Sequence, residues 1–237
     1  MKLLSYLQQT LQLSRRGFTA LIDQGQIFCN WVKVDSYGFL VQEGDVVDVQ
    51  SKRVVVTTDV QKSQLIAFYK PAGCVASKSD PHNDTIYKHL PAQFAGYYYI
   101  WRLDKDSRGL LLLTNESKLV HEYEHPRHGM QKTYLVVLNK VLRPEDAQKC
   151  LDWVLDDNEL LRMISVKNVR FSDYPISYFP DEIAWFLVEV VLEEGKKRHI
   201  RRIFSAMRYH VVDLLRINEW SHTLRDLQEW QWKSISI

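Results

Sequence analysis

The chain has 237 residues, of which 46% are hydrophobic and 25% charged, and its formal net charge is +2. These values are typical of a globular protein with one large or two modest domains. The three cysteines, Cys29, Cys74 and Cys150, form no C-x-x-C pair, which excludes a zinc ribbon or a dithiol redox motif and favours a reducing compartment. No apolar run approaches membrane-spanning length. We therefore expect a cytoplasmic protein that has no membrane partner.

The first fifty residues predict a compact module of two short helices followed by a small sheet. Apolar residues recur at helical spacing in two stretches, the second of which starts after an N-cap at Ser14 and ends at Gly25. Strand-like segments follow at 27–34 and 46–49. Residues 51–63 continue into a polar linker, so we divide the chain into domains of residues 1–60 and 61–237.

Arg15 and Arg16 lie between the two predicted helices. Two adjacent arginines at a helix start are typical of a solvated surface, and they also suit a contact with nucleic-acid phosphate. The residues alone leave both interpretations open.

The segment 101–114, WRLDKDSRGLLLLT, carries the strongest local pattern of the second domain. Four leucines bounded by Gly109 and Thr114 predict a short buried strand. Asp104 precedes this strand between two cationic neighbours, Arg102 and Lys105, which favour an ionised carboxylate. Such a carboxylate can act as a nucleophile, a base, a metal ligand or a turn cap.

Other apolar segments predict further strands at 65–70, 132–138, 184–192 and 211–217, and a helix at 142–155. The first of these strands ends at Lys70, which precedes a proline. A strand exit is a common place for a binding residue, and a plain surface lysine is the equal alternative.

A basic cluster at residues 196–202 follows the predicted strand at 184–192. Apolar residues spaced by three and four predict that a helix begins within this cluster. A basic helix start next to a strand exit suits an anion, and phosphate of a nucleic-acid backbone is the natural one. The alternative is a solvated basic loop. The basic side chains of the cluster are Lys196, Lys197, Arg198, Arg201 and Arg202.

Two metal-site patterns also occur in the chain. His121, Glu122 and His125 match H-E-x-x-H, the helical zinc motif of metallopeptidases, so a zinc peptidase is a remote alternative function. Pro126 directly follows the second histidine and no clear third ligand exists, which argues against this function. The segment that starts at Asp104 matches part of a calcium loop but places Arg108 at a ligand position. We therefore predict no metal.

Several motifs stand in one order along the chain: K-P-x-G, R-L-D-x-D-S-x-G-L-L-L-L-T, H-P followed by K-T-Y-L-V, and E-G-K-x-R-x-I-R-R. Together they resemble the RsuA family of pseudouridine synthases. The N-terminal order of helix, S-R-R, helix, G-Q-I and G-D-x-V resembles the S4 RNA-binding domain. The resemblance spans essentially the whole chain, and the D-x-D-S-x-G spelling is closer to the large-subunit rRNA branch (RluE/RluF-like) than to the small-subunit branch.

The resemblance implies an α+β fold, in which a small S4-like domain precedes a catalytic domain with a long mixed, mostly antiparallel sheet. It implies that Asp104 is the catalytic carboxylate, that Tyr134 stacks on the target base and assists removal of its C5 proton, and that Arg201 pairs with Asp104. RNA phosphate contacts, or the shape of the cleft, are implied for the remaining basic residues: Arg15, Arg16, Lys70, Arg102, Lys196, Lys197, Arg198 and Arg202.

The same resemblance implies an isomerase that needs no cofactor and acts on ribosomal RNA, expected to be 23S, with tRNA as the alternative substrate. A monomer is expected. Trp101, His199 and residues 218–220 depart from the family pattern, in which glycine, glutamine and a glycine are usual. A protein that kept the fold as an RNA-binding module without catalysis is the main alternative.

Overall fold

The structure is a computed structural model that describes residues 1–11, 13–57, 63–179 and 186–236. The chain divides into two compact units, of which the first comprises Met1–Ser63 with Gln93–Gly96 and the second comprises Gln64–Ala92 with Tyr97–Ile237. The predicted boundary between residues 60 and 61 lies outside the described residues.

The first unit contains two helices and a four-stranded antiparallel sheet of order β2-β1-β3-β4. The Ser14 hydroxyl accepts a hydrogen bond from the Gly17 amide at 2.9 Å, so the predicted N-cap is confirmed. Apolar side chains from both helices and the sheet form one core. The elements are α1 (Leu3–Thr10), α2 (Arg15–Asp23), β1 (Ile27–Cys29), β2 (Val32–Lys33), β3 (Val46–Val49) and β4 (Lys52–Val55).

The second unit is built on one large sheet with helices α3 to α5. The strands are β5 (Leu65–Lys70), β6 (Tyr98–Ile100), β7 (Arg108–Thr114), β8 (Lys132–Leu138), β9 (Val154–Asp156), β10 (Glu159–Leu161), β11 (Ser165–Val169), β12 (Phe186–Leu192), β13 (Val211–Glu219), β14 (His222–Thr223) and β15 (Trp232–Ile235). The helices are α3 (Ser117–Glu124), α4 (Pro144–Leu151) and α5 (His199–Ala206).

Nine of these strands belong to the large sheet, whose main path runs β11-β12-β8-β13-β7-β5-β15, while β6 pairs with β7 and β14 pairs with β13. The pairing of β13 with β7 is parallel and the other pairs are antiparallel. The predicted α+β class, with a mixed and mostly antiparallel sheet, is confirmed. Within the described ranges, none of the helices combines the length and apolar character that a membrane crossing requires.

Gly109 allows the close approach of β7 to β13 at the centre of this sheet. Its φ is +113°, and a Cβ atom at this position would lie 2.3 Å from the carbonyl oxygen of Arg216. Any other residue would therefore force the two strands apart. This contact fixes the loop that carries Asp104, which directly precedes β7, against the strand that carries Arg216.

The predicted helix at 142–155 is too long. The helix ends at Leu151, and a two-stranded hairpin formed by β9 and β10 follows it. Asp157 and Asn158 both adopt positive φ angles, +46° and +59°, as a tight hairpin turn between twisted strands requires. The sequence pattern missed this turn because Asp-Asn is a less distinctive signal than Asn-Gly or Asp-Gly. The strand predicted at 184–192 is described from Phe186 onward.

Candidate active site

A cavity of about 330 Å³ opens in the second unit, at the centre of the large sheet. Its walls come from the loop between β6 and β7, from β8 and β13, from the end of α3 and from the start of α5. The polar and aromatic side chains around it are Trp101, Arg102, Asp104, Glu124, Lys132, Tyr134, Lys196, Lys197, Arg198, His199, Arg201 and Arg216. The three residues predicted to carry the chemistry, Asp104, Tyr134 and Arg201, therefore line one cavity.

Asp104 is half-buried in the loop before β7. Its backbone carbonyl accepts hydrogen bonds from the Ser107 amide at 3.2 Å and from Lys70 Nζ at 3.1 Å. Its carboxylate, by contrast, accepts no hydrogen bond from any part of the chain that the structure describes. The backbone is thus held in place while the carboxylate remains available to a ligand in the cavity.

Lys70 lies beneath the Asp104 loop and is fully buried. Its ammonium donates to three backbone carbonyls, those of Pro71 at 2.9 Å, Asp104 at 3.1 Å and Ser107 at 2.7 Å. Burial lowers the pKa of Lys70 to about 8. With all three donors occupied, Lys70 shapes the cleft and has no donor left for RNA phosphate.

Tyr134 lies on β8 and is 7% exposed. It stands opposite Arg216 of β13 in the strand register. Burial raises the pKa of the Tyr134 phenol, and the neighbouring Arg216 guanidinium opposes this rise. The phenol is therefore neutral near pH 7, with a cationic group beside it.

A group of buried charges lies behind the cavity. Arg216 is fully buried, and its Nη2 lies 3.1 Å from Oε2 of Glu219, which is 1% exposed. Burial raises the pKa of Glu219 to about 7, against the opposing effect of Arg216 and Lys132. Burial also lowers the pKa of Lys132 to about 8, helped by Arg216. Ionisation in this group therefore changes close to neutral pH.

Replacing Glu219 with Gln is expected to remove a pH dependence of stability. Because the folded protein holds the Glu219 proton up to about pH 7 and the unfolded chain releases it near 4.5, the wild type loses stability as the pH rises between these values. The loss amounts to at most about 3 kcal/mol. Urea unfolding of both proteins at pH 4.5, 6 and 7.5 measures it, and parallel stability curves would contradict this assignment.

Trp101 forms a wall of the cavity in a position where the family resemblance implies glycine. Its φ of +50° explains that preference. Three contacts hold it: the indole Nε1 donates to the Tyr123 carbonyl at 3.1 Å, the backbone amide donates to Glu124 Oε1 at 3.0 Å, and Lys132 Nζ lies 3.3 Å from the ring centroid. These contacts offset the cost of the left-handed backbone.

Arg201 pairs with Asp106 instead of Asp104. Its Nε lies 3.3 Å from Oδ2 of Asp106, and its two terminal nitrogens donate to the carbonyls of Asp106 at 2.7 Å and Val211 at 2.9 Å. Arg198 also binds the Asp106 carboxylate, at 3.0 Å. The expected direct ion pair between Arg201 and Asp104 is absent from the described residues, because Asp106 occupies the guanidinium. Asp104 still lies close enough to favour the charged form of Arg201.

Arg202 holds the β9–β10 hairpin against α5. Its guanidinium binds Asp156 Oδ2 and Glu159 Oε2, both at 2.5 Å, and the Asp156 carbonyl at 2.8 Å. Lys196 adds a hydrogen bond from Nζ to the Leu160 carbonyl at 2.7 Å. Two carboxylates already neutralise the Arg202 side chain, which leaves it less available to RNA phosphate than the sequence predicts.

Replacing Arg202 with Ala is expected to loosen the hairpin without unfolding the unit. The carboxylates of Asp156 and Glu159 would lose their shared cation, so backbone amides within 154–161 should exchange with solvent faster. Hydrogen exchange read by mass spectrometry measures this change. The matched control is Arg170→Ala, which removes an arginine from an exposed ion pair with Asp173. Unchanged exchange in the hairpin would show that Arg202 does not hold it.

The remaining basic residues are distributed over both units. Arg102 and Lys197 are exposed at the mouth of the cavity, and neither has an ion-pair partner among the residues described. In the first unit, Arg15 and Arg16 form the exposed first turn of α2. These four side chains are accessible to an anionic ligand.

The H-E-x-x-H pattern does not form a metal site. The helix ends at Glu124, and His125 already has an extended backbone, although the rings of His121 and His125 lie 5.8 Å apart. In the described part of the chain, no three His, Cys, Asp or Glu side chains are placed to hold a metal ion. The remote alternative of a zinc peptidase, which the sequence left open, therefore has no structural basis.

Sequence comparison assigns the unit that contains this cavity to a protein family. The family described as RNA pseudouridylate synthase matches residues 64–206, which is more than half of the chain, and the S4 domain matches residues 1–47. The chain belongs to the RNA pseudouridylate synthase family. It is an RNA-modifying isomerase of the RsuA type that carries an N-terminal S4 domain, as the sequence motifs predicted.

Relatives of this pseudouridine synthase match most of its length. An Aquifex aeolicus protein named as an uncharacterized RNA pseudouridine synthase is 25% identical, and the match covers 100% of this chain and 93% of that protein. Ribosomal small subunit pseudouridine synthase A of Haemophilus influenzae is 27% identical over 91% of this chain and 87% of its own. Ribosomal large subunit pseudouridine synthase B of Xanthomonas campestris is 28% identical over 86% of this chain but only 40% of its own.

A solved structure shares the fold of the enzyme. The structure titled "Crystal structure of pseudouridylate synthase" superposes with a TM-score of 0.64 at 24% identity, covering 100% of this chain and 96% of that one. The similarity supports the sheet topology described above.

The sequence motifs assigned no role to several residues of the cavity, although Trp101 and His199 stood out as departures from the family pattern. These residues are Trp101, Glu124, Lys132, His199 and Arg216. Arg216 had a usable signal, because it is a charge between Leu215 and Ile217 in a mostly apolar segment of its strand. Lys132 and Glu124 gave none, since a charged residue at the start of a strand or at the end of a helix is ordinary.

Proposed function

We propose that this enzyme converts one uridine of ribosomal RNA to pseudouridine, with Asp104 as the catalytic carboxylate. The observation that carries the proposal is the unpaired Asp104 carboxylate beside Tyr134 in one cavity. The ribosomal substrate is supported by the names of the relatives from Haemophilus and Xanthomonas. Large-subunit RNA is the first choice because of the D-x-D-S-x-G spelling around Asp104.

The reaction breaks the N1–C1′ bond of the uridine, turns the uracil and joins C5 to C1′. The C5 hydrogen is lost as a proton and N1 gains one, so atoms and electrons balance without a cofactor. Asp104 either forms a covalent bond to the ribose or the base, or promotes elimination toward a glycal. Both routes need an ionised carboxylate that no other side chain occupies, which fits the free Asp104.

Tyr134 offers a ring for stacking the uracil at the floor of the cavity. The target nucleotide must leave its stack, which costs a few kcal/mol, and an aromatic face recovers part of this cost. Tyr134 is held rigidly on β8, and its phenol lies within electrostatic range of Asp104. We assign it to base stacking and to assisting removal of the C5 proton.

Arg201 acts on Asp104 indirectly, without a direct contact. Because Asp106 fixes its guanidinium, Arg201 supplies a positive potential near the Asp104 carboxylate without forming a hydrogen bond to it. Its contacts with Asp106 also hold the loop that carries Asp104. Arg201 is therefore a positioning residue in this proposal.

We assign contacts with RNA phosphate to the exposed basic residues. Arg102, Lys197 and Arg198 stand at the mouth of the cavity, while Arg15 and Arg16 belong to the S4 domain. Each phosphate contact releases counterions, so RNA affinity should fall steeply with salt. We leave Lys70 and Arg202 out of this set because their donors are occupied.

Substrate identity is tested with three RNAs transcribed without modification: 23S rRNA, 16S rRNA and a tRNA pool. Each is incubated with the purified enzyme and digested to nucleosides, and pseudouridine is quantified by chromatography. Pseudouridine in 23S rRNA alone, near one per molecule, supports the proposal. Pseudouridine found only in 16S rRNA or in tRNA would overturn the proposal that 23S rRNA is the substrate. RNA binding without any product would favour a module that has lost catalysis.

A further inference from the structure

Buried polar atoms without hydrogen-bond partners gather around the cavity. Among the described residues, such atoms include Arg216 Nη1, His199 Nδ1 and Arg201 Nε, and all three residues line the cavity wall. A buried donor or acceptor without a partner is costly, so proteins rarely keep one without a use. Three of the six such atoms in the described residues belong to the cavity wall, where a ligand would supply the missing partners; the other three belong to Asn218 and Glu219.

Arg216 is the most constrained of the three. Its Nε donates to the Leu110 carbonyl at 2.7 Å, and its Nη2 donates to the Trp101 carbonyl at 2.8 Å. Glu219 provides the balancing charge at 3.1 Å from Nη2. These contacts lock the planar guanidinium and leave Nη1 as a fixed donor. Arg201 Nε is less isolated than Arg216 Nη1, because the Asp106 carboxylate lies 3.3 Å from it.

The unpaired Nη1 belongs to the residue opposite Tyr134. Register pairs Arg216 of β13 with Tyr134 of β8, and the guanidinium opposes the rise in the Tyr134 pKa through its charge and a hydrogen bond to the phenol. Because Nη1 carries two N–H groups, one of them still lacks a partner. A base that stacks on Tyr134 would therefore present its edge to Arg216. The edge of uracil carries two carbonyl oxygens, O2 and O4, as its strong acceptors.

We propose that Arg216 is a substrate-binding residue that donates a hydrogen bond from Nη1 to a carbonyl oxygen of the target uracil. The proposal rests on the proposed function, because it needs a uridine in this cavity. A guanidinium only donates, so a contact at O4 would reject the amino group that cytosine carries there. A polar contact of this kind discriminates strongly, since the wrong base leaves buried donors unpaired.

The test replaces the acceptor on the RNA and the donor on the protein. A short RNA containing the site is prepared with uridine, 2-thiouridine or 4-thiouridine at the target, because sulfur is a weaker acceptor than oxygen. Single-turnover rates are measured for the wild type and for the double variant Arg216→Gln/Glu219→Gln. The double variant removes both buried charges together, so neither remains unpaired. Thermal unfolding by circular dichroism verifies that it folds.

We expect one of the two sulfur substitutions to slow the wild type on the order of tenfold, as for a hydrogen bond to a charged donor. The same substitution should have no further effect on the double variant, because the contact is already lost. Glu219→Gln alone keeps Nη1 and should show the wild-type sensitivity to sulfur. This control separates the loss of the donor from the loss of the carboxylate.

Equal sulfur effects in the wild type and the double variant would overturn the role of Arg216, as would a wild type insensitive to both substitutions. In either case the wild type still converts the unsubstituted RNA, so the proposed function stands. A wild type that converts no uridine in any RNA would instead refute the proposed function, and the Arg216 contact with it.

Discussion

Replacing Asp104 with Asn is expected to lower the rate of pseudouridine formation about 10⁴-fold or more, as for other catalytic nucleophiles. Asn keeps the size and polarity of the side chain but cannot form the covalent bond or accept the proton that the reaction requires. The Asp104 carboxylate accepts no hydrogen bond from the described residues. The free energy of unfolding should therefore change by less than about 0.5 kcal/mol. Single-turnover kinetics and urea unfolding measure the two effects.

The matched control for this variant is Asp106→Asn. Asp106 is two residues away, carries the same charge and does not line the cavity, since its carboxylate binds Arg198 and Arg201. If any negative charge in the loop sufficed, both variants would remain active, because each keeps one of the two aspartates. We expect Asp106→Asn to retain much more activity than Asp104→Asn. Equal losses, or an active Asp104→Asn enzyme, would remove Asp104 from its role.

Replacing Lys70 with Met should cost about 2–4 kcal/mol of folding free energy. The substitution removes the Lys70 donor from three carbonyls, of Pro71, Asp104 and Ser107, of which the Asp104 carbonyl keeps the Ser107 amide. Each carbonyl left without a donor costs about 1–3 kcal/mol. Relief from burying a charged ammonium offsets part of this loss. Activity should also fall, because the Asp104 backbone loses a support. Urea unfolding and single-turnover rates provide the two measurements.

Lys105→Met is the control for Lys70→Met. Lys105 lies in the loop that carries Asp104, is exposed and binds Asn83 Oδ1 at 2.7 Å. Its loss should therefore change the free energy of unfolding by less than about 0.5 kcal/mol. A Lys70→Met protein as stable as the wild type would show that the buried ammonium does not support the loop.

The Lys70 variant should also change the pH dependence of stability. The folded protein lowers the Lys70 pKa to about 8, while the unfolded chain keeps 10.5. The penalty for the charged lysine is therefore complete below pH 8 and disappears as the pH rises to about 10.5. The wild type should gain stability across this range. Lys70→Met should gain less, although Lys132, with a similarly lowered pKa, preserves part of the slope.

Most of the candidate site could be predicted from the sequence because its residues follow strong local signals. Asp104 precedes a glycine and a leucine run, and Tyr134 lies in an unambiguous strand. Arg201 belongs to a basic cluster at a helix start. These signals are short-range, so they survive without knowledge of the tertiary fold. The mixed, mostly antiparallel sheet followed from the family resemblance and was confirmed.

The pairing of charges could not be predicted in the same way. Arg201 binds Asp106, whose place four residues before the leucine run gives no hint of a partner ninety-five residues away. Arg202 meets Asp156 and Glu159 because a hairpin folds back onto α5, and the sequence pattern read that hairpin as the end of a helix. Partner choice depends on long-range packing, which residue types alone do not specify.

The most direct test of the central claim maps pseudouridine at single-nucleotide resolution. Ribosomal RNA from cells that lack this protein is incubated with the purified wild type or with Asp104→Asn, and carbodiimide-dependent stops are read by primer extension. We predict one new stop with the wild type and none with the variant. The same stop with both proteins, or no stop on any ribosomal RNA, would contradict the account.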